Sequence, residues 1–173
     1  IDEPKMAGEV MKKLHSVIAL PLQIDTSDPI ALEAALRHYN GKAMINSVNG
    51  KQDSMDAVFP LVQKYGGVVV GLALDEDGIP DNAADRIRIA KKIYKEASKY
   101  GIEPKDIVID GLAMTISSDP TSAIATLETL RIIRDELHGH SILGVSNISF
   151  GLPQRPIVNA NFFTMAMQSG LSC

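Results

Sequence analysis

Four residues carry the chemistry legible in this chain: Asp25, Asn46, Asp110 and Asn147. Each stands at or just past the end of a short, mostly apolar run, over 19–24, 42–45, 106–109 and 141–145. A carboxylate accepts two parallel N–H bonds from an amidine-like edge, and an amide both donates and accepts. Two of each on one rim suit a neutral ligand rich in hydrogen-bonding groups. They do not suit a phosphate, because no Gly-rich loop, Lys or Arg stands at a run's end. Asp and Asn also end strands as caps and turn formers. In two loops that duty falls elsewhere: Asp28 precedes Pro29 and Asp119 precedes Pro120, each pair reading as a helix start. Asp25 and Asp110 are left without an obvious structural task, which favours a binding role.

Other chemical signals are weaker. Gly144-Val-Ser146-Asn-Ile148 has the outline of a nucleophile elbow, but Ile148 stands where Gly is required. His15, His38, His138 and His140 fall near helix ends or turns, and His138-Gly-His140 reads as a solvated turn rather than a metal site. Asp75-Glu-Asp-Gly78 lacks calcium-loop spacing and reads as a solvated rim loop. Met165 and Met167 read as core filler.

The elements that position these residues alternate. Helices are expected over 4–15, 28–39, 53–65, 82–100, 119–137 and 157–168, from apolar spacing and from stops such as Asn40-Gly41, Gly66-Gly67 and Gly101. Strands are expected over 19–24, 42–45, 68–74, 106–109 and 141–145, and 171–173 reads as the opening of one more. The run from Val68 to Leu74 is apolar on both faces, as in parallel sheets covered by helices. Strand–helix alternation repeated five times means a parallel α/β architecture, either a doubly wound sheet or a barrel. A full eight-unit barrel needs ~250 residues. The 173 residues, as a single domain, fit a (β/α)8 barrel lacking its first two strands and its last. The opening Ile1-Asp2-Glu3-Pro4 and the closing Gly170-Leu-Ser-Cys173 read as cuts from something longer.

Composition narrows the partners. Apolar content of 45% and charged content of 22% are those of an ordinary globular domain. A net charge of −4 with no long basic block argues against nucleic acid and against an anionic membrane surface. One cysteine, Cys173, cannot form an internal disulfide, which favours a reducing, cytoplasmic setting. A homodimer is left open.

The segments Ile24-Asp-Thr-Ser27, Ile45-Asn-Ser-Val48, Ile109-Asp-Gly111 and Gly144-Val-Ser-Asn-Ile-Ser-Phe-Gly-Leu-Pro153, in this order, resemble the pterin-binding family. That family contains dihydropteroate synthases and methyltetrahydrofolate:corrinoid methyltransferases. The last segment, with Arg155, Asn159 and Gly170-Leu-Ser172 beyond it, is most similar to the folate-binding domain of cobalamin-dependent methionine synthases. The resemblance implies a barrel with the pterin at its carboxyl-end mouth. Asp25, Asn46 and Asp110 match the family's deep pterin-binding residues, and Asn147 matches the Asn that reaches the methyl-bearing ring nitrogen. The pterin ring has the amidine-like edge that a carboxylate can grip.

The implied activity is transfer of the methyl group of 5-methyltetrahydrofolate to a cobalamin or other corrinoid carried by a partner domain or protein. A methyl group on a tertiary amine is a poor electrophile, so the site must add positive character to that nitrogen. No His or Lys is at hand, so a modest donor, Asn147, is expected to do so. Dihydropteroate synthase chemistry calls for basic residues where this chain has Ser146-Asn-Ile-Ser149. A folate-binding module without turnover of its own would keep the same rim.

Overall fold

The computed structural model describes residues 2–173. Helices and strands alternate as α1 (Glu3–Val17), β1 (Gln23–Asp25), α2 (Pro29–Leu36), β2 (Met44–Asn49), α3 (Gln52–Tyr65), β3 (Val68–Leu72), α4 (Ala83–Ser98), β4 (Ile107–Asp110), α5 (Ser122–Asp135), β5 (His140–Ile142) and α6 (Arg155–Ser169). The strands form one parallel sheet in the order β1-β2-β3-β4-β5. Neighbours in sequence are neighbours in space throughout, without the reversal that marks the switch point of a doubly wound sheet. The architecture is therefore a five-strand arc of a (β/α)8 barrel.

Alternation along each strand divides the sheet into two faces. Ile24, Ile45, Val69, Ile107 and Ile109 point to the helices and join one large core with Leu32, Phe59, Ile89 and Ile93. Burying a side chain of this size is worth about 1.5–3 kcal/mol, so this layer dominates the fold's stability. Asp25, Asn46, Val70 and Val108 share one row of the register on the opposite, inner face. A smaller cluster of Ala113, Leu130, Leu143, Ile148, Phe162 and Ala166 holds α5 and α6 to the β5 end.

Local chemistry fixes where helices start. Asp28 caps α2 by accepting the Ile30 N–H at 2.8 Å, with Pro29 in the first turn. Asn82 caps α4 by accepting the Asp85 N–H, and its amide donates back to the Asp85 carboxylate at 2.8 Å. Asp119 behaves differently from expectation. It accepts the N–H and hydroxyl of Thr121, and α5 begins only at Ser122.

The strands are also trimmed. β1 is confined to Gln23–Asp25, because Pro21 lacks the N–H that would extend the ladder toward residue 19. β2 runs past Asn46 to Asn49, through a cis Asn46–Ser47 peptide and a register shift against β3. His140 opens β5, paired with Val108, rather than ending a turn. Leu171–Cys173 form no strand, but the Ser172 and Cys173 N–H groups both donate to the Ser141 carbonyl on β5. Met165 and Met167 are not core: they stand 44% and 49% exposed on α6, whose inward face is carried by Phe162 and Ala166. No described helix is long and apolar enough to cross a membrane.

Candidate functional site

The carboxyl ends of the strands carry the chemistry. Asp25 on β1 and Asn46 on β2 are direct register partners. They line one open cleft of about 490 Å³ at the sheet's rim, together with Thr26, Ser47, Asn49 and Asp53. Neither the Asp25 carboxylate nor the Asn46 amide has a side-chain hydrogen bond among the described residues. Asp28 and Thr26 take the structural work of that loop, with the Thr26 hydroxyl accepting the Asp28 N–H at 3.1 Å. The reading of Asp25 as a side chain without a structural task therefore agrees with its surroundings.

Asn49-Gly50, expected as a turn, is also part of the cleft wall. Asn49 accepts the Lys51 N–H at 2.9 Å and its own N–H donates to Ser54. Gly50 donates to the Leu74 carbonyl at 2.8 Å. A Cβ at Gly50 would lie 2.6 Å from Ile89 and 2.8 Å from that same carbonyl, so only glycine lets the two loops meet. The next loop is no free rim. Asp75 is buried and pairs with Arg88 at 3.1 Å, and the Asp75 and Gly78 backbones bond each other. Acidic composition suggested solvation, but a cation two turns along α4 folds the loop's first carboxylate inward.

Asp110 ends β4 beside Leu72, which lines the cleft. It is half-buried and accepts the Leu112 N–H at 2.8 Å. Burial pushes its carboxyl above the ordinary carboxylate range. The Leu112 N–H and the charge of Arg86 oppose that shift without cancelling it.

Arg86 escaped sequence reasoning, which found no cation at the strand ends. It reaches Asp110's loop from α4, fully buried, and donates to the Gly111 and Leu112 carbonyls at 2.8 and 3.1 Å. The nearest available signal was its place in α4's apolar stripe, between Ala83 and Ile87, Ile89 and Ala90.

Asn147 is not at a strand end. β5 stops at Ile142, and Asn147 rides on a 3-10 segment, Val145–Ser149, with its side chain exposed. Its loop is tied to the β4 loop: the Ile116 N–H donates to the Ile148 carbonyl and the Thr115 hydroxyl to the Phe150 carbonyl. Arg155 braces it from α6, donating to the Ser149 hydroxyl at 3.0 Å and the Ser146 carbonyl at 2.9 Å. The structure thus joins Asp25 and Asn46 in one cleft. Asp110 stands two strands along the same rim, and Asn147 on the loop beyond it.

An ordered set of neutral-ligand groups on a sequentially wound parallel sheet is what the resemblance implied. Residues 3–173 match the pterin binding enzyme family. The chain belongs to that family. It is 33% identical over 167 residues to a methylcorrinoid:tetrahydrofolate methyltransferase of Eubacterium limosum, covering 94% of this chain and 61% of that protein. It is also 33% identical over 178 residues to the methionine synthase of Mycobacterium tuberculosis, covering 93% of this chain and 15% of that protein. This pterin-binding chain therefore spans less than two thirds of the curated relatives it matches. Among solved structures it resembles a dihydropteroate synthase of Xanthomonas albilineans in complex with 7,8-dihydropteroate. There the TM-score is 0.70 and the identity 22%, over 95% of this chain and 65% of that one. A Yersinia pestis dihydropteroate synthase gives a TM-score of 0.72 at 15% identity, over 97% of this chain and 66% of that one. These likenesses show the fold, a barrel of the dihydropteroate synthase type.

Proposed function

We propose that this pterin-binding chain holds 5-methyltetrahydrofolate at its carboxyl-end rim and passes the methyl group to a cob(I)alamin or other corrinoid brought by a partner domain or protein. Asp25, Asn46 and Asp110 grip the pterin ring, and Asn147 faces the methyl-bearing nitrogen. The observation that carries the reading is the pairing of Asp25 with Asn46 in one rim cleft, with both side chains left unused by the fold. The names of the two curated relatives, one a methyltransferase between methylcorrinoid and tetrahydrofolate and the other a methionine synthase, support the same choice.

The roles follow from the donors and acceptors present. An ionised Asp110 accepts paired N–H bonds from the ring's amino edge, with one of its oxygens already fixed by Leu112. The Asn46 amide serves the ring's remaining donors and acceptors. Methyl transfer makes the ring nitrogen a leaving group, and a donor that bonds it more strongly as the C–N bond breaks lowers the barrier. Asn147 can be that donor. A bound corrinoid supplies a strongly nucleophilic reduced metal centre, and the protein supplies orientation. Asn147 and Phe150 are both open to solvent, which suits an acceptor arriving from outside. The transition state is common to both directions, so the same groups would serve transfer to or from tetrahydrofolate.

Calorimetric titration of the chain with 5-methyltetrahydrofolate tests the site. Saturable binding is expected, weakened by roughly 100-fold in Asp110→Ala, the loss of charge-assisted hydrogen bonds worth about 1.5–3 kcal/mol. Binding unaffected by that change would remove Asp110 from the site. With free reduced cobalamin as acceptor, Asn147→Ala is expected to slow methyl transfer by about 100-fold while affinity stays within about threefold. Equal losses in both would end the special role of Asn147. Tight binding with no transfer to any corrinoid would identify a folate-binding module instead.

A further inference from the structure

We propose that Arg86 is a positioning residue for Asp110: buried behind the rim, it fixes the backbone that turns the Leu112 N–H onto the carboxylate, and so sets the direction in which Asp110 meets a ligand. The ligand part of this inference rests on the reading of Asp110 as a pterin-binding group.

The geometry is specific. Arg86 is 1% exposed, the largest fully buried side chain of the described residues. Its Nε donates to the Pro80 carbonyl at 2.8 Å. Its Nη1 lies 2.8 Å from the Gly111 carbonyl, 3.1 Å from the Leu112 carbonyl and 3.1 Å from the Thr126 hydroxyl. Those two carbonyls belong to the two residues that follow Asp110. Leu112 has φ of 58°, a left-handed conformation that a residue with a Cβ adopts only when its surroundings enforce it. In that conformation its N–H reaches Asp110 Oδ1 at 2.8 Å. Thr126, on α5, closes the arrangement by donating to the Leu112 carbonyl at 3.2 Å.

Stability alone is a poor account of this arrangement. A buried guanidinium loses its hydration, and an apolar side chain of similar volume often serves stability as well or better. A planar fork that spans three backbone carbonyls from one α-helix does something an apolar side chain cannot: it fixes the directions of the peptide groups next to a functional carboxylate. The charged groups acting on Arg86 are Asp81, in the loop before α4, and Asp110 itself. Arg86 is in turn the one cation acting on Asp110.

The test follows the Asp110 carboxyl carbon and the Leu112 amide by NMR across pH, and 5-methyltetrahydrofolate affinity by calorimetry, in the native chain, Arg86→Met and Arg86→Lys. With Arg86→Met the carboxyl is expected to titrate at higher pH, because a positive neighbour is gone. The Leu112 amide is expected to shift, and affinity to fall by about 10- to 100-fold, as for a misplaced contact. Arg86→Lys keeps the charge and loses the fork. It is expected to leave the titration nearly in place while still moving the amide and weakening binding.

A merely structural arginine would lower the unfolding midpoint and leave both resonances unchanged in the folded protein; that result overturns the proposal. If neither variant folds, Thr126→Val serves instead, with a smaller displacement of the Leu112 amide expected, and an unmoved amide overturning the proposal. Should the native chain bind no 5-methyltetrahydrofolate, the folate reading fails by itself, and the two resonances still decide whether Arg86 sets the carboxylate.

Discussion

The two ends of the rim place functional groups by different means. At the β1–β2 end, Asp25 and Asn46 sit on the strands themselves, as register partners, above a large apolar core that includes Ile24 and Ile45. Their loops contribute little to their placement. At the β4–β5 end, Asp110 is held by Leu112 and, through the backbone, by Arg86, while Asn147 lies past its strand on a 3-10 segment. That segment depends on loop-to-loop hydrogen bonds, on Arg155 and on the smaller cluster under α6. Sheet register is rigid because every pairing supports its neighbours. A polar brace on a small core gives finer control of direction and is easier to disrupt.

The largest way to break this contrast is Phe162→Ala. Phe162 is 2% exposed and anchors α6 in the smaller cluster, so its loss is expected to cost about 3–5 kcal/mol in urea unfolding. Hydrogen exchange should quicken first in 140–173, with β1 and β2 protected longer. Uniform quickening over the whole sheet would show one cooperative unit and erase the distinction.

A second test compares the two carboxylates. Burial raises the Asp110 pKa in the folded chain above its unfolded value. The stability it contributes is therefore full below the unfolded value of about 3.9 and is lost as pH rises through the folded one. Asp110→Asn keeps an acceptor for the Leu112 N–H and carries no charge. It is expected to raise the thermal midpoint at pH 7, by an amount that shrinks to nothing below about pH 4, while folate binding fails. Asp25→Asn, at an exposed carboxylate without partners, is expected to stay within about 0.5 kcal/mol of the native chain. A destabilised Asp110→Asn at neutral pH would mean that its attraction to Arg86 outweighs the cost of burial.

What the sequence displays follows the same division. The apolar runs, the α2 start at Asp28-Pro29 and the strand-end positions of Asp25, Asn46 and Asp110 are legible because each depends on residues close in the chain. Asp119-Pro120 has the same spelling as Asp28-Pro29, yet its Asp closes a turn onto Thr121 and the helix begins at Ser122. Asn147 could be named but not placed, since whether β5 continues or breaks into a 3-10 turn depends on the loop beside it. Arg86 was invisible for a related reason. With Arg88 two residues on, it resembles a solvated helix face, and only a loop 25 residues further along covers it. Met165 and Met167 have core-like composition and point outward, because their phase on α6 is set by Phe162 and Ala166.

The smallest effect concerns how the helices behind the β1–β2 end are tied. Glu33 on α2 meets Lys64 and Tyr65 at the end of α3, and Arg37 one turn along its own helix. Hydrogen bonds from Lys64, Tyr65 and Arg37, in that order, hold its carboxyl down to about 2. A depressed carboxylate contributes stability that is present above the unfolded value, near 4.3 for Glu, and is lost as pH falls toward the folded one. Glu33→Gln should therefore lower the unfolding midpoint slightly at neutral pH, and the gap to the native chain should close between about pH 5 and 2. The pairs are exposed and screened by solvent, so the effect is expected to be modest. If the gap persists unchanged at pH 2, the glutamate contributes through packing rather than charge, and α2 is tied to α3 as the β4–β5 end is tied to α6, by shape.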